Sequence, residues 1–147
     1  FGLDQTLRSY GIEVVDFIKD GFGDDIIDQL RNTLLSTMSE EHVNFFKDLE
    51  LSFSSENYLF VHAGIDPKKI LEDQTKEDFL WSRSKSFFDK DFKAEKIIVH
   101  GHTPEENIIN NLHRINIDTG CYFSGKLSSV CLSDYDDSRV FINNLSN

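Results

Sequence analysis

Two short apolar runs, each broken off at a histidine and a glycine, constrain this chain more than any other feature. Tyr58-Leu59-Phe60-Val61 leads into His62-Ala63-Gly64, and Lys96-Ile97-Ile98-Val99 leads into His100-Gly101-His102-Thr103-Pro104. A short continuous apolar run is the pattern of a strand buried on both faces. Glycine just beyond it marks a backbone that must turn sharply. In open α/β sheets, ligands gather beyond the carboxyl ends of the strands. Two imidazoles carried there by neighbouring strands are the beginning of a metal site. One such histidine alone is more often a hydrogen-bonded loop residue; the repeated strand-histidine-glycine setting is what points to a pair of ligands.

The remainder of the chain is large enough to bury these strands. Its 147 residues, 39% hydrophobic and 28% charged, read as one globular domain over residues 1–147. Leu3 to Tyr10 reads as a short helix or loop ending at Gly11, and Gly21 and Gly23 mark a turn. Asp24 or Asp25 can then cap a helix with Ile26, Ile27, Leu30, Leu34 and Leu35 on one stripe. Ser39 caps a further helix whose apolar face carries His42, as a partly buried surface histidine, with Phe45, Phe46 and Leu49. Leu51 to Ser54 predicts an edge strand, and Thr75 caps a helical turn holding Phe79, Leu80 and Trp81, the last expected in the core. Ile115 and Ile117 alternate with polar residues, a turn spans Gly120 to Gly125, and strands follow over Leu127–Leu132 and Arg139–Ile142, joined by an acidic turn at Asp134, Asp136 and Asp137.

A net charge of −11 argues against a nucleic-acid partner or an anionic membrane surface. Phosphate chemistry stays open, because bound cations reverse the local field whatever the overall charge. No apolar run approaches the length needed to cross a bilayer. Cys121 and Cys131 are too few and too far apart for a disulfide framework or a zinc knuckle. They are expected as small buried hydrophobes in a reducing, cytoplasmic setting.

Several blocks now stand in order: Thr6-Leu7-Arg8-Ser9-Tyr10-Gly11, Leu59 to Pro67 around His62, Leu80-Trp81-Ser82-Arg83, Val99-His100-Gly101-His102-Thr103-Pro104, and Arg114-Ile115-Asn116-Ile117-Asp118-Thr119-Gly120. Together they resemble the carboxyl-terminal half of bacterial serine/threonine phosphatases of the phosphoprotein phosphatase family, within the calcineurin-like metallophosphoesterases. The resemblance implies an α/β fold: buried strands with flanking helices and a C-terminal antiparallel β segment. The family's upstream blocks, of the forms GDxHG, GDxxDRG and GNHE, are not in this sequence. The chain therefore reads as the C-terminal portion of a catalytic domain, without the general acid and most of the metal ligands.

What the resemblance implies for the site follows residue by residue. His62 and His102 would be the two imidazole ligands of one metal in a pair of divalent ions, Mn²⁺ first, with Fe or Zn²⁺ as alternatives. His100 lies two residues before His102, so on an extended strand both point to one side; a supporting or core role suits it better than a ligand role. Pro104 stands where wider metallophosphoesterases often carry another histidine. Arg83 is either a fork gripping the substrate phosphate or a surface arginine ion-paired with an acid. Asp118 either orients a ligand imidazole or is a structural turn residue, Trp81 is read as a core residue rather than a substrate platform, and His113 is given no role. The expected activity is metal-dependent hydrolysis of phosphoserine or phosphothreonine, with a dinucleoside polyphosphate as the alternative substrate. The isolated chain is expected to be an inactive or purely binding fragment, whose exposed sheet edges favour association.

Overall fold

In the computed structural model, which describes residues 2–17, 23, 25–136 and 138–145, the chain divides into two units, Phe1–Leu49 and Glu50–Asn147. Gly21, Asp24 and Asp137, named above in turns and caps, lie outside the described residues. The first unit is helical: α1 (Leu3–Ser9), α2 (Ile26–Thr37) and α3 (Glu40–Lys47). Ser39 caps α3, its Oγ accepting the His42 N–H at 3.2 Å. Asp25 stands at the start of α2 without capping it; its carboxylate accepts from the Gln29 side chain instead. The apolar stripe of α2 is present but unevenly covered, with Ile26 buried and Ile27 and Leu35 exposed. Phe45, Phe46 and Leu49 are exposed as well. His42 is exposed rather than partly buried, and its Nδ1 shares a 2.8 Å hydrogen bond with Tyr10 Oη.

The second unit is built on a five-stranded sheet of order β1-β2-β3-β5-β4. The strands are β1 (Ser52–Ser54), β2 (Tyr58–Val61), β3 (Ile97–His100), β4 (Ile109–Asn110) and β5 (Arg114–Asn116). The central β2, β3 and β5 run parallel, and the edge strands β1 and β4 pair antiparallel. Side chains alternate across a strand, so each apolar run feeds two cores. Leu59, Val61 and Ile98 join Ile65, Phe87 and Phe92 on one face. Tyr58, Val99 and Ile115 join Val130, Leu132 and Phe141 on the other. The second face is covered by the antiparallel hairpin β6 (Lys126–Leu132) and β7 (Arg139–Leu145). The first is covered by residues from α4 (Lys76–Trp81) and α5 (Lys85–Phe88). This mixed α/β arrangement, with parallel central strands, flanking helices and a C-terminal antiparallel pair, is the expected fold class.

Three expectations need correction. The stretch between Gly120 and Gly125 is a short helix, α6 (Cys121–Ser124), bounded by glycines in left-handed backbone at both ends. Cys121 and Cys131 are exposed, not buried, since one lies on that outer helix and the other on the outward row of β6. Trp81 is also not a core residue: α4 turns Phe79 toward the sheet, and Trp81 is 68% exposed. No helix among the described residues is long and apolar enough to cross a membrane.

Candidate metal and phosphate site

The two strand-histidine-glycine units end side by side, because β2 and β3 are parallel neighbours in register from Tyr58↔Ile97 to Phe60↔Val99. One backbone bond stitches their ends together, from the Gly101 N–H to the His62 carbonyl at 2.9 Å. Gly101 permits this close approach: a Cβ there would lie 3.3 Å from the Asp118 Cβ. Beyond it, the Thr103 N–H donates back to the Gly101 carbonyl at 2.8 Å, and the turn places His102 at φ +67°. His102 is the one non-glycine among the described residues with positive φ, a sparsely populated conformation that costs on the order of 1–3 kcal/mol and collects at functional sites.

The turn aims the two rings at each other. His62 Nε2 lies 3.1 Å from His102 Nδ1, with ring centroids 4.9 Å apart. Two nitrogens on a tetrahedral ion with bonds of about 2.0–2.1 Å would stand roughly 3.3 Å apart, so the pair fits one shared cation. Burial, then the neighbouring His62 and Arg83, holds the His102 pKa below the ordinary imidazole value, against a smaller opposing pull from Asp118. The neutral ring with a free lone pair is the form that binds a metal. His102 Nε2 is buried and has no hydrogen-bond partner among the described residues. No group of three or more His, Cys, Asp or Glu side chains that could hold a metal ion occurs among the described residues. The described residues thus bring two donors to a site that needs more.

The other expected residues divide. His100 ends β3 while the strand is still extended, and its ring is 2% exposed in the helix-side core, 4.9 Å from Phe87. Its Nδ1 pairs with the Gly101 carbonyl at 3.0 Å and its Nε2 accepts from Arg114 Nη1 at 3.2 Å. Burial pushes its pKa down to about 4, so it is neutral at neutral pH. The same-side argument for His100 and His102 fails because the positive φ at His102 breaks the strand parity. The Asp118 Oδ1 accepts the Gly120 N–H at 2.9 Å, the bond of a turn residue, and no hydrogen bond to either imidazole is found among the described residues. Arg83 is exposed and, among the described residues, has no hydrogen bond or ion pair; its charge reaches His102. His113 sits away from the pair, with Nδ1 on the Ala94 carbonyl at 3.1 Å.

Two further residues stand at the site: Asn116, to which sequence reading assigned no role, and Trp81, which it placed in the core. Asn116 is fully buried; its Nδ2 donates to the Thr103 carbonyl at 2.8 Å and its Oδ1 accepts the Asp118 N–H at 2.9 Å, so it ties the His102 turn to β5. A polar residue inside a buried strand was the available signal, since such a group must find partners. Trp81 stands edge-on to His102, with centroids 5.6 Å apart and planes at 89°. A cleft of about 370 Å³ opens beside the pair, running past Val99 and Ile117 toward Lys126 and Ser128.

The chain is similar to bis(5'-nucleosyl)-tetraphosphatases. It is 34% identical over 97 residues to the asymmetrical bis(5'-nucleosyl)-tetraphosphatase PrpE of Oceanobacillus iheyensis, an alignment covering 55% of this chain and 38% of that protein. It is 49% identical over 43 residues to the Bacillus mycoides protein of the same name, covering 28% of this chain and 17% of that one. The chain therefore spans well under half the length of the curated relatives it matches. A solved structure put forward as a diadenosine tetraphosphatase shares the fold at a TM-score of 0.62 and 14% identity, covering 100% of this chain and 75% of that one. No family model matches the chain.

Proposed function

We propose that the protein carrying these residues is a calcineurin-like metallophosphoesterase that hydrolyses dinucleoside polyphosphates. The observation that carries the reading is the convergence of His62 and His102 at the ends of two parallel strands, in a chain whose relatives are named as bis(5'-nucleosyl)-tetraphosphatases. Those relatives favour a dinucleotide over the phosphoserine or phosphothreonine suggested by the resemblance.

In this reading, His62 and His102 hold one divalent ion, with Mn²⁺, Fe or Zn²⁺ suited to imidazole and oxygen donors. Bound divalent ions supply charge to offset the phosphoryl oxygens and an acidified water as nucleophile. Arg83 offers a planar fork to a phosphate of the substrate. Asn116 keeps the His102 turn in place, and buried, neutral His100 supports it from the core. The remaining ligands come from outside the described residues, so the isolated chain is expected to show no turnover.

The test is a side-by-side rate measurement on the product of the complete reading frame, loaded with Mn²⁺. Diadenosine tetraphosphate is expected to be cleaved with the higher kcat/KM, and a phosphothreonine peptide poorly. Faster cleavage of the peptide, or no cleavage of the dinucleotide, overturns the reading.

A further inference from the structure

We propose that Trp81 is a stacking platform for a nucleobase, placed so that a base lying on the indole leaves its adjoining phosphate beside Arg83 and the histidine pair. This rests on the substrate class proposed above and adds where the nucleoside is recognised.

The indole is 68% exposed, yet the backbone beneath it is firmly anchored. α4 begins with a capping box between Thr75 and Asp78, and Lys69 Nζ pairs with Asp78 at 2.6 Å. The loop leaving β2 holds the other end: the Ala63 N–H donates to the Phe79 carbonyl at 2.7 Å, and Ser82 Oγ donates to the Ile65 carbonyl at 2.9 Å. Trp81 is thus fixed to the same loop that carries His62. A large apolar ring in water is unfavourable unless something covers it, and here it stands edge-on to His102, whose ring also feels the charge of Arg83, two residues along the chain from Trp81. A ligand that covers an aromatic face and satisfies an adjacent guanidinium is a flat π system joined to a phosphate, which describes a nucleotide. Base stacking on an aromatic side chain tolerates any base, because each has a π face.

The chain contains one tryptophan, so its fluorescence reports on this position alone. AMP titrated into the 147-residue chain is expected to quench that emission saturably, and calorimetry should show it binding about five- to 150-fold tighter than ribose 5-phosphate, the worth of one stacked base. In Trp81→Leu, an exposed position where the fold is not at stake, the advantage of AMP should vanish in calorimetry, and Trp81→Phe should retain part of it. AMP binding no tighter than ribose 5-phosphate, absence of saturable binding by either, or an advantage that survives Trp81→Leu overturns the proposal. None of these readouts needs turnover, so a failure to hydrolyse diadenosine tetraphosphate would fall on the proposed function, and a failure here on the role of Trp81.

Discussion

Replacing Gly64 by alanine should unfold the second unit more readily than any nearby surface change, and the cost follows from the structure. Gly64 has φ +150°, and a Cβ there would lie 2.6, 2.9 and 3.0 Å from Cε1, Cδ1 and Cζ of Phe87. Phe87 cannot retreat. It is 0% exposed, packed edge-to-face on Phe88, Phe92 and His100, with the Arg114 guanidinium 5.6 Å from its ring centre. Positive φ in a non-glycine costs about 1–3 kcal/mol, and overpacking a filled core costs about 1–3 kcal/mol more. The sum, about 2–6 kcal/mol, is a large share of a typical domain stability of about 5–15 kcal/mol. For a unit of about a hundred residues, even the lower figure lowers Tm by roughly 8 °C or more. Urea and thermal unfolding followed by near-ultraviolet circular dichroism measure it. Gly11→Ala is the control: φ is +74° there but nothing lies within 4 Å of the added Cβ, so only the strain of about 1–2 kcal/mol should show. A Gly64→Ala change within about 0.5 kcal/mol of wild type, the range of ordinary surface substitutions, would refute the packing argument for this turn.

Thr75→Ala removes the α4 cap and should cost about 1 kcal/mol by urea unfolding. The hydrogen bond from Lys69, then that from the Thr75 backbone, lowers the Asp78 pKa below 3.8. The stability from this shift is therefore present above pH 3.8 and lost as pH falls through the folded-state value; acid unfolding of Asp78→Asn should lack that component. Arg83→Lys in the complete protein should cut kcat/KM about ten- to a hundredfold, since a charged fork is lost while a charge is kept; unchanged kinetics would remove Arg83 from phosphate binding. Among the described residues, β1 and β4 have no strand on their outer sides, so we expect the 147-residue chain to self-associate; a clean monomer in size-exclusion chromatography would contradict this.

The sheet was legible because apolar runs ending in His-Gly leave little choice of structure, and β2, β3 and the capped helices fall where the pattern puts them. β4 was not legible, since Ile109–Asn110 is too short to show a period. The exposure of Trp81 was hidden because hydrophobicity alone predicts burial, whereas α4 is short enough that Phe79 satisfies its inward face. The separate fates of His100 and His102 turn on one backbone angle. A residue two positions along shares a face only while the strand continues, and φ +67° at His102 ends it. Asn116 shows the same limit, because its place in a buried strand says that it must be bonded but not that its partner is the Thr103 carbonyl.

The claim on which the functional reading stands is that His62 and His102 share a cation. Pulsed electron paramagnetic resonance on the complete protein, loaded with one equivalent of Mn²⁺, tests it directly. The account predicts couplings from two coordinated imidazole nitrogens, one lost in His62→Ala and the other in His102→Ala. A spectrum without bound nitrogen, or one unchanged by both substitutions, would contradict it.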